Sequence, residues 1–295
     1  MKLARTTLEG RVVAVLVENH LARAVDTPVA PTSEDPLLEL IRSGVDLSRL
    51  NACGPEVPLA ELTMLAPLSH PGKIIAIGLN YADHTAETGL PAPREPLTFA
   101  KYPSSVIGPG ETIVVPTHVT RKVDWEAELA VVMGAVCGPS RPGTLADVAA
   151  YTVANDVSAR DLQFTDGQWT RGKSVDTFCP LGPLLVTADS LDVSDLRIWT
   201  TVNGRSMQDA STADMIFDVA ALLTFLTQTV TLEPGDIILT GTPPGVGGFR
   251  DPPVYLADGD VVEVGVDGIG SLSNPVRHVR SPTTDRTPPH PTPHT

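Results

Sequence analysis

Aromatic side chains make up only 4% of this 295-residue chain, so its core must be built from Val, Leu, Ile and Ala; an apolar share of 42% is enough for that. Cysteine is nearly absent. Cys53, Cys137 and Cys179 are odd in number, far apart and in no Cys-x-x-Cys or Cys/His pattern. That excludes a disulfide framework and a thiolate zinc site, and suits a reduced, cytoplasmic setting with buried, inert thiols. Cations are few, 21 Lys and Arg against 35 Asp and Glu, for a net charge of −14. Nothing here could neutralise a phosphate backbone, so nucleic acid is excluded as a partner. Any anion site must be local, because the overall field repels anions. No apolar run approaches the roughly 18 residues needed to cross a bilayer, and the N-terminus lacks a charged-then-apolar leader pattern. We therefore expect no membrane partner and no export. The Gly-x-Ser-x-Gly elbow of serine hydrolases, the P-loop and the Gly-x-Gly-x-x-Gly dinucleotide fingerprint are also missing.

What is present is strand-dominated. Residues 11–18, 73–78, 112–116, 126–134, 151–154, 237–240, 261–266 and 272–278 read as strands by their β-branched, alternating pattern. Residues 36–43 read as a short helix, and 80–87 open another. Residues 214–228 form the clearest helix, with Met215, Val219, Leu222, Leu223 and Leu226 as its apolar, core-facing stripe. Residues 26–36 form a Pro-rich loop. The division expected is a small N-terminal unit (1–67), a catalytic unit (68–280) and a Pro/Thr-rich tail (281–295) too poor in apolar surface to fold.

The most informative stretch is Asp124-Trp125-Glu126-Ala127-Glu128-Leu129. Residues two apart on a strand share a face, so Glu126 and Glu128 project side by side between apolar neighbours. Two buried like charges are unfavourable unless a cation lies between them, and a hard oxygen set suits Mg²⁺, Mn²⁺ or Ca²⁺. A solvated edge with two outward glutamates is the ordinary alternative. Downstream, Asp156 falls at the end of the strand 151–154, where it could complete a three-oxygen face or simply cap the next helix. His84 and Glu87, three apart on the expected helix, would face each other across one turn. The carboxylate would then hold one imidazole nitrogen and leave the other to accept a proton from water. Arg171 and Lys173 in a polar loop suggest anion binding. The Gly/Pro-rich turn 241–248 would offer backbone N–H groups and the Thr242 hydroxyl to a small anion.

Taken with Gly78-Leu79-Asn80-Tyr81-Ala82-Asp83-His84, residues 155–163 and Trp169-Thr170-Arg171-Gly172-Lys173-Ser174, these segments resemble the fumarylacetoacetate hydrolase family, in family order over about residues 72–279. The resemblance implies an α+β fold: a mixed β-sheet rolled into a flattened barrel, with a small N-terminal domain and usually a homodimer. It implies Mg²⁺ or Mn²⁺ held by Glu126, Glu128 and Asp156, and Lys173 as the active-site lysine. It further implies His84 with Glu87 as a water-activating pair, and Arg160, Gln163 and Thr242 as substrate contacts. The expected activity is hydrolysis of a C–C bond in an acylpyruvate or related 2,4-diketo acid through a metal-stabilised enolate. The alternative is decarboxylation or isomerisation of oxaloacetate-like or diene-dicarboxylic keto acids.

Overall fold

The computed structural model describes residues 1–30, 32–88 and 91–280. The tail expected at 281–295 lies outside these. Most of the fold is one twelve-stranded sheet. From one edge, its strands are Asn51–Pro58, Leu21–Asp26, Arg11–Glu18, Lys2–Leu8, Cys179–Thr187, Val148–Asn155, Ala127–Met133, Ile237–Leu239, Ile74–Gly78 and Leu97–Lys101. Thr63–Leu65 pairs off this path with Lys2–Leu8, and Val106–Ile107 with Cys179–Thr187. The fold is thus α+β and sheet-dominated, and among the described residues the pairing runs from edge to edge without closing into a ring. A five-stranded sheet (Arg205–Ser211, Arg197–Val202, Val261–Val266, Gly270–Val279, Ile113–Pro116) packs beside it.

Ala127–Met133 is buried at every position because it lies between two apolar clusters. Leu129, Val131 and Met133 point toward a cluster that takes Ile198, Val262, Val264 and Leu272 from the smaller sheet. Ala130 and Val132 point the other way, toward Leu37, Leu40 and Ile41 of the helix Pro36–Arg42. The neighbouring strand follows the same alternation, with Tyr151 and Val153 on the first face and Ala150 and Ala154 on the second. Period-two geometry therefore places Glu126, Glu128 and Asp156 in line with the second face, at the end where the alanines stop. Lys2–Leu8 joins the sheet through Lys2↔Val186 and Leu3↔Leu185, so Leu3 shares that second cluster.

One expected element changes. The helix placed at 214–228 is only Val219–Leu226, preceded by a 3-10 turn at Thr212–Asp214. Met215 therefore belongs to extended backbone and not to the helical stripe. The cause is a competing set of hydrogen bonds. Asn80 Oδ1 accepts from the Phe217 N–H at 2.8 Å and the Asn80 carbonyl from the Ile216 N–H at 2.7 Å, while Tyr81 bridges Met215. Asp218 then caps the shortened helix by accepting from the Ala221 N–H. Asn80 also donates to the Phe217 and Thr240 carbonyls at 2.9 and 2.7 Å, so one buried amide ties three chain segments together. Replacing it by the near-isosteric Leu strands these groups without partners, each loss being worth about 1–3 kcal/mol. Asn80→Leu is expected to lower the unfolding free energy by about 3 kcal/mol in urea titration; a change below about 1 kcal/mol would show that the amide is not the tie.

Candidate active site

Glu126, Glu128 and Asp156 converge. One oxygen from each lies within 4.8 Å of the others, and all three residues are buried. The Asp156 N–H donates to the Glu126 carbonyl at 2.9 Å, which holds the strand end against the start of its neighbour. Asp156 caps no helix: the position before Arg160–Asp166 is Ala159.

Two lysines reach this cluster. Lys173, at the end of the short helix Thr170–Lys173, donates to Glu126 at 2.6 Å and to Asp156 at 2.9 Å. Lys101, from the edge strand Leu97–Lys101, donates to the other Asp156 oxygen at 2.7 Å and to the Lys173 carbonyl. Arg160 spans Asp124 (2.8 Å) and Glu126 (2.5 Å) and donates to Gln163 at 3.0 Å. The three acids then differ in charge preference. Burial pushes the Glu126 carboxyl up, but Lys173, Arg160 and His84 together hold it down at about 2. Glu128 is pushed well above the ordinary carboxylate range by burial and by the charges of Asp156 and Glu126; only Lys173 and the Gly241 N–H oppose this. Burial lowers Lys173, yet Asp156 and Glu126 more than restore its positive charge.

His84 and Glu87 meet as expected, Nδ1 to Oε2 at 3.1 Å on the helix Ala82–Thr88. His84, Arg160, Gln163, Lys173, Thr242 and Glu126 all line one pocket of about 40 Å³, with room for about three waters. Its apolar walls are Phe99, Phe164, Trp169 and Phe249. A larger cleft of about 240 Å³ lies beside Asp147 and holds none of these residues; chemistry, not size, selects the smaller one. Arg171 does not join the site, because its guanidinium pairs with Asp166 at the surface at 2.5 and 2.6 Å. The turn 241–248 does present N–H groups to anions, but these are the protein's own carboxylates: Gly241 donates to Glu128 and Gly245 to Glu87. The Thr242 hydroxyl accepts from Gln208 at 2.8 Å. Lys101, Asp124 and Gln208 were not anticipated as site residues. The one signal for Lys101 is a lysine in step with Phe99 on an apolar strand. Gln163 and Phe164 reach the pocket from the helix Arg160–Asp166, which turns at Gly167.

Over residues 73–277 the chain matches the family model for the C-terminal part of fumarylacetoacetate hydrolase. The chain belongs to the fumarylacetoacetate hydrolase family. Its members are enzymes, and so is this chain. It is 49% identical over 227 residues to the mitochondrial oxaloacetate tautomerase FAHD2A of Bos taurus, covering 75% of this chain and 72% of that one. The Homo sapiens protein of the same name is 45% identical over 256 residues, covering 84% and 81%. Among solved structures, the fumarylacetoacetate hydrolase of Exiguobacterium antarcticum superposes with a TM-score of 0.83 at 40% identity, covering 95% of this chain and 100% of that one. Maleylpyruvate hydrolase from Sphingobium sp. SYK-6 gives 0.75 at 29% identity, with the same coverage.

The acids fit the divalent metal typical of this family. Five carboxylates (Glu87, Asp124, Glu126, Glu128, Asp156) meet three cations (Lys101, Arg160, Lys173), and Glu128 touches none of them. A buried carboxylate with a backbone N–H but no cation in contact with it among the described residues, beside two further hard oxygen donors, suits Mg²⁺ or Mn²⁺. The raised Glu128 sets a sign. A carboxyl whose folded pKa is raised favours the fold below its ordinary range and opposes it as pH climbs through the raised value. Glu128→Gln is therefore expected to raise the melting temperature of EDTA-treated protein at pH 7. It should also abolish the stabilisation given by Mn²⁺, which is about 2.7 kcal/mol at a hundredfold excess over Kd. A Glu128→Gln variant that still gains stability with Mn²⁺ would remove Glu128 from the ligand set.

Proposed function

We propose that the chain interconverts the keto and enol forms of a short 2-oxo acid, with oxaloacetate as the candidate, by moving a proton at C3 with His84. The observation that carries this reading is the His84–Glu87 contact of 3.1 Å, with His84 lining the pocket that Lys173 and Glu126 also line. Glu87 engages Nδ1, which orients the ring and leaves Nε2 as the nitrogen able to take and return a proton. As the C3 proton leaves, negative charge grows on the C2 oxygen. Lys173, fixed between Glu126 and Asp156, supplies positive charge beside it. Arg160, Gln163 and Thr242 line the same pocket and are assigned the substrate's carboxylate and oxo oxygens. Glu126, Glu128 and Asp156 would hold Mg²⁺ or Mn²⁺, which supplies Lewis-acid polarisation of oxo and carboxylate oxygens. The aromatic walls exclude bulk water and strengthen these interactions.

The sequence by itself favours hydrolysis of an acylpyruvate, with the dyad activating a water. One point supports proton transfer ahead of it: identities of 45–49% to relatives named oxaloacetate tautomerases. Hydrolysis stays as the second reading, supported by the same dyad and by likeness to a maleylpyruvate hydrolase.

The test measures the decay of enol-oxaloacetate absorbance and the release of pyruvate from acetylpyruvate, each with Mn²⁺ and with EDTA. Accelerated enol decay that EDTA abolishes is expected. His84→Ala should slow it by about 100-fold, the lower bound for general acid–base catalysis, with Mn²⁺ affinity unchanged. Enol decay at the buffer rate together with pyruvate release would replace this reading by the second one.

A further inference from the structure

The turn that follows the strand Ile237–Leu239 touches both halves of the site at once. Gly245, at φ 102°, donates its N–H to both oxygens of Glu87, at 3.1 and 3.2 Å. Its carbonyl accepts from Trp125 Nε1 at 3.2 Å and from Arg250 Nε and Nη2 at 3.3 and 3.0 Å. Arg250 Nη2 also donates to the Met207 carbonyl at 2.6 Å, so one guanidinium clips the turn to the strand Arg205–Ser211. The fit is close: a Cβ on Gly245 would stand 2.2 Å from that same Met207 oxygen. Further along, Gly248 donates to Asp124, the partner of Arg160, at 2.6 Å. The Phe249 ring lies edge-on to His84, with centroids 5.9 Å apart, and 5.3 Å from the Arg160 guanidinium. Arg250 itself does not line the pocket.

We propose that Arg250 is a positioning residue for the proton-transfer dyad, acting through Gly245. Glu87 is about one-fifth exposed, and among the described residues His84 and the Gly245 N–H hold it in the site. A carboxylate held at one point rotates freely; held at two, it fixes the imidazole plane. Arg250 supplies the second point by holding the turn so that the Gly245 N–H faces Glu87. Loss of the guanidinium lets the turn lift from Met207, Glu87 swing toward solvent and His84 lose its aim, while the acids and Lys173 keep their own partners. Misplacement of a catalytic group by about 1 Å can reduce turnover by about 100-fold.

This inference rests on the dyad reading of the preceding section, and the test separates the two. Arg250→Met, Arg250→Lys, His84→Ala and the His84→Ala/Arg250→Met double variant are assayed for kcat, KM and Mn²⁺ affinity. Arg250→Met is expected to lower kcat by about 10- to 100-fold with KM and Mn²⁺ affinity within about twofold of the parent, and Arg250→Lys to recover part of the loss. The double variant should equal His84→Ala alone, because residues acting as one unit are not additive. Amide hydrogen exchange at Gly245, which needs no turnover, should quicken at least about tenfold in Arg250→Met, and in Arg250→Lys to a lesser degree. Full multiplicative loss in the double variant, or unchanged exchange at Gly245, overturns the role of Arg250 while leaving the dyad intact. A His84→Ala enzyme with undiminished kcat overturns the dyad, and with it this inference.

Discussion

Three carboxylates buried on one largely apolar face of a sheet set the terms for everything around them. Glu126, Glu128 and Asp156 cannot all be ionised in an apolar interior without compensation. The fold answers with Lys173 on two of them, Lys101 behind Asp156 and Arg160 behind Glu126. Among the described residues Glu128 accepts a hydrogen bond from the Gly241 N–H and touches none of these cations. That unequal provision leaves a place where a divalent cation is electrostatically favoured. The cations are drawn from a small stock, and the site takes them from three separate segments.

The same constraint shapes the chain distant from the acids. Asn80 draws residues 215–217 into extended backbone and shortens the following helix, so that the helix bearing His84 enters next to the strand Ile237–Leu239. The turn beyond that strand then gives its N–H groups to Glu128, Glu87 and Asp124 in succession. A glycine-rich turn after a strand invites comparison with anion-binding loops, yet here the anions are internal. Its N–H groups are taken up by the protein's own carboxylates.

Family membership fixes the kind of chemistry more firmly than the reaction. The relatives of this chain include a tautomerase and hydrolases. These reactions share an oxygen that gains negative charge next to an acidic carbon, and on the reading proposed above the acid–lysine cluster would stabilise that charge. Whether a water joins the substrate beside His84 separates hydrolysis from proton transfer. That depends on the walls set by Phe99, Phe164, Trp169 and Phe249, side chains whose meeting is a matter of packing.

Local pattern carried a good deal. Alternation along 126–134 placed Glu126 and Glu128 on one face, the strand end located Asp156, and helical spacing joined His84 to Glu87, because each relation spans only a few residues and follows from backbone geometry. The family motifs rest on the same short-range order. What only the tertiary structure decided are the contacts between distant segments. Lys101 reaches Asp156 across 55 positions, Arg250 braces Met207 across 43, and Asn80 overrides a helical stripe across 137. Even neighbouring Arg171 and Lys173 part company, one to a surface aspartate and the other to the buried acids. Periodicity says which face of its own element a side chain occupies; which partner waits there is set by how the sheets pack, and no local pattern encodes it.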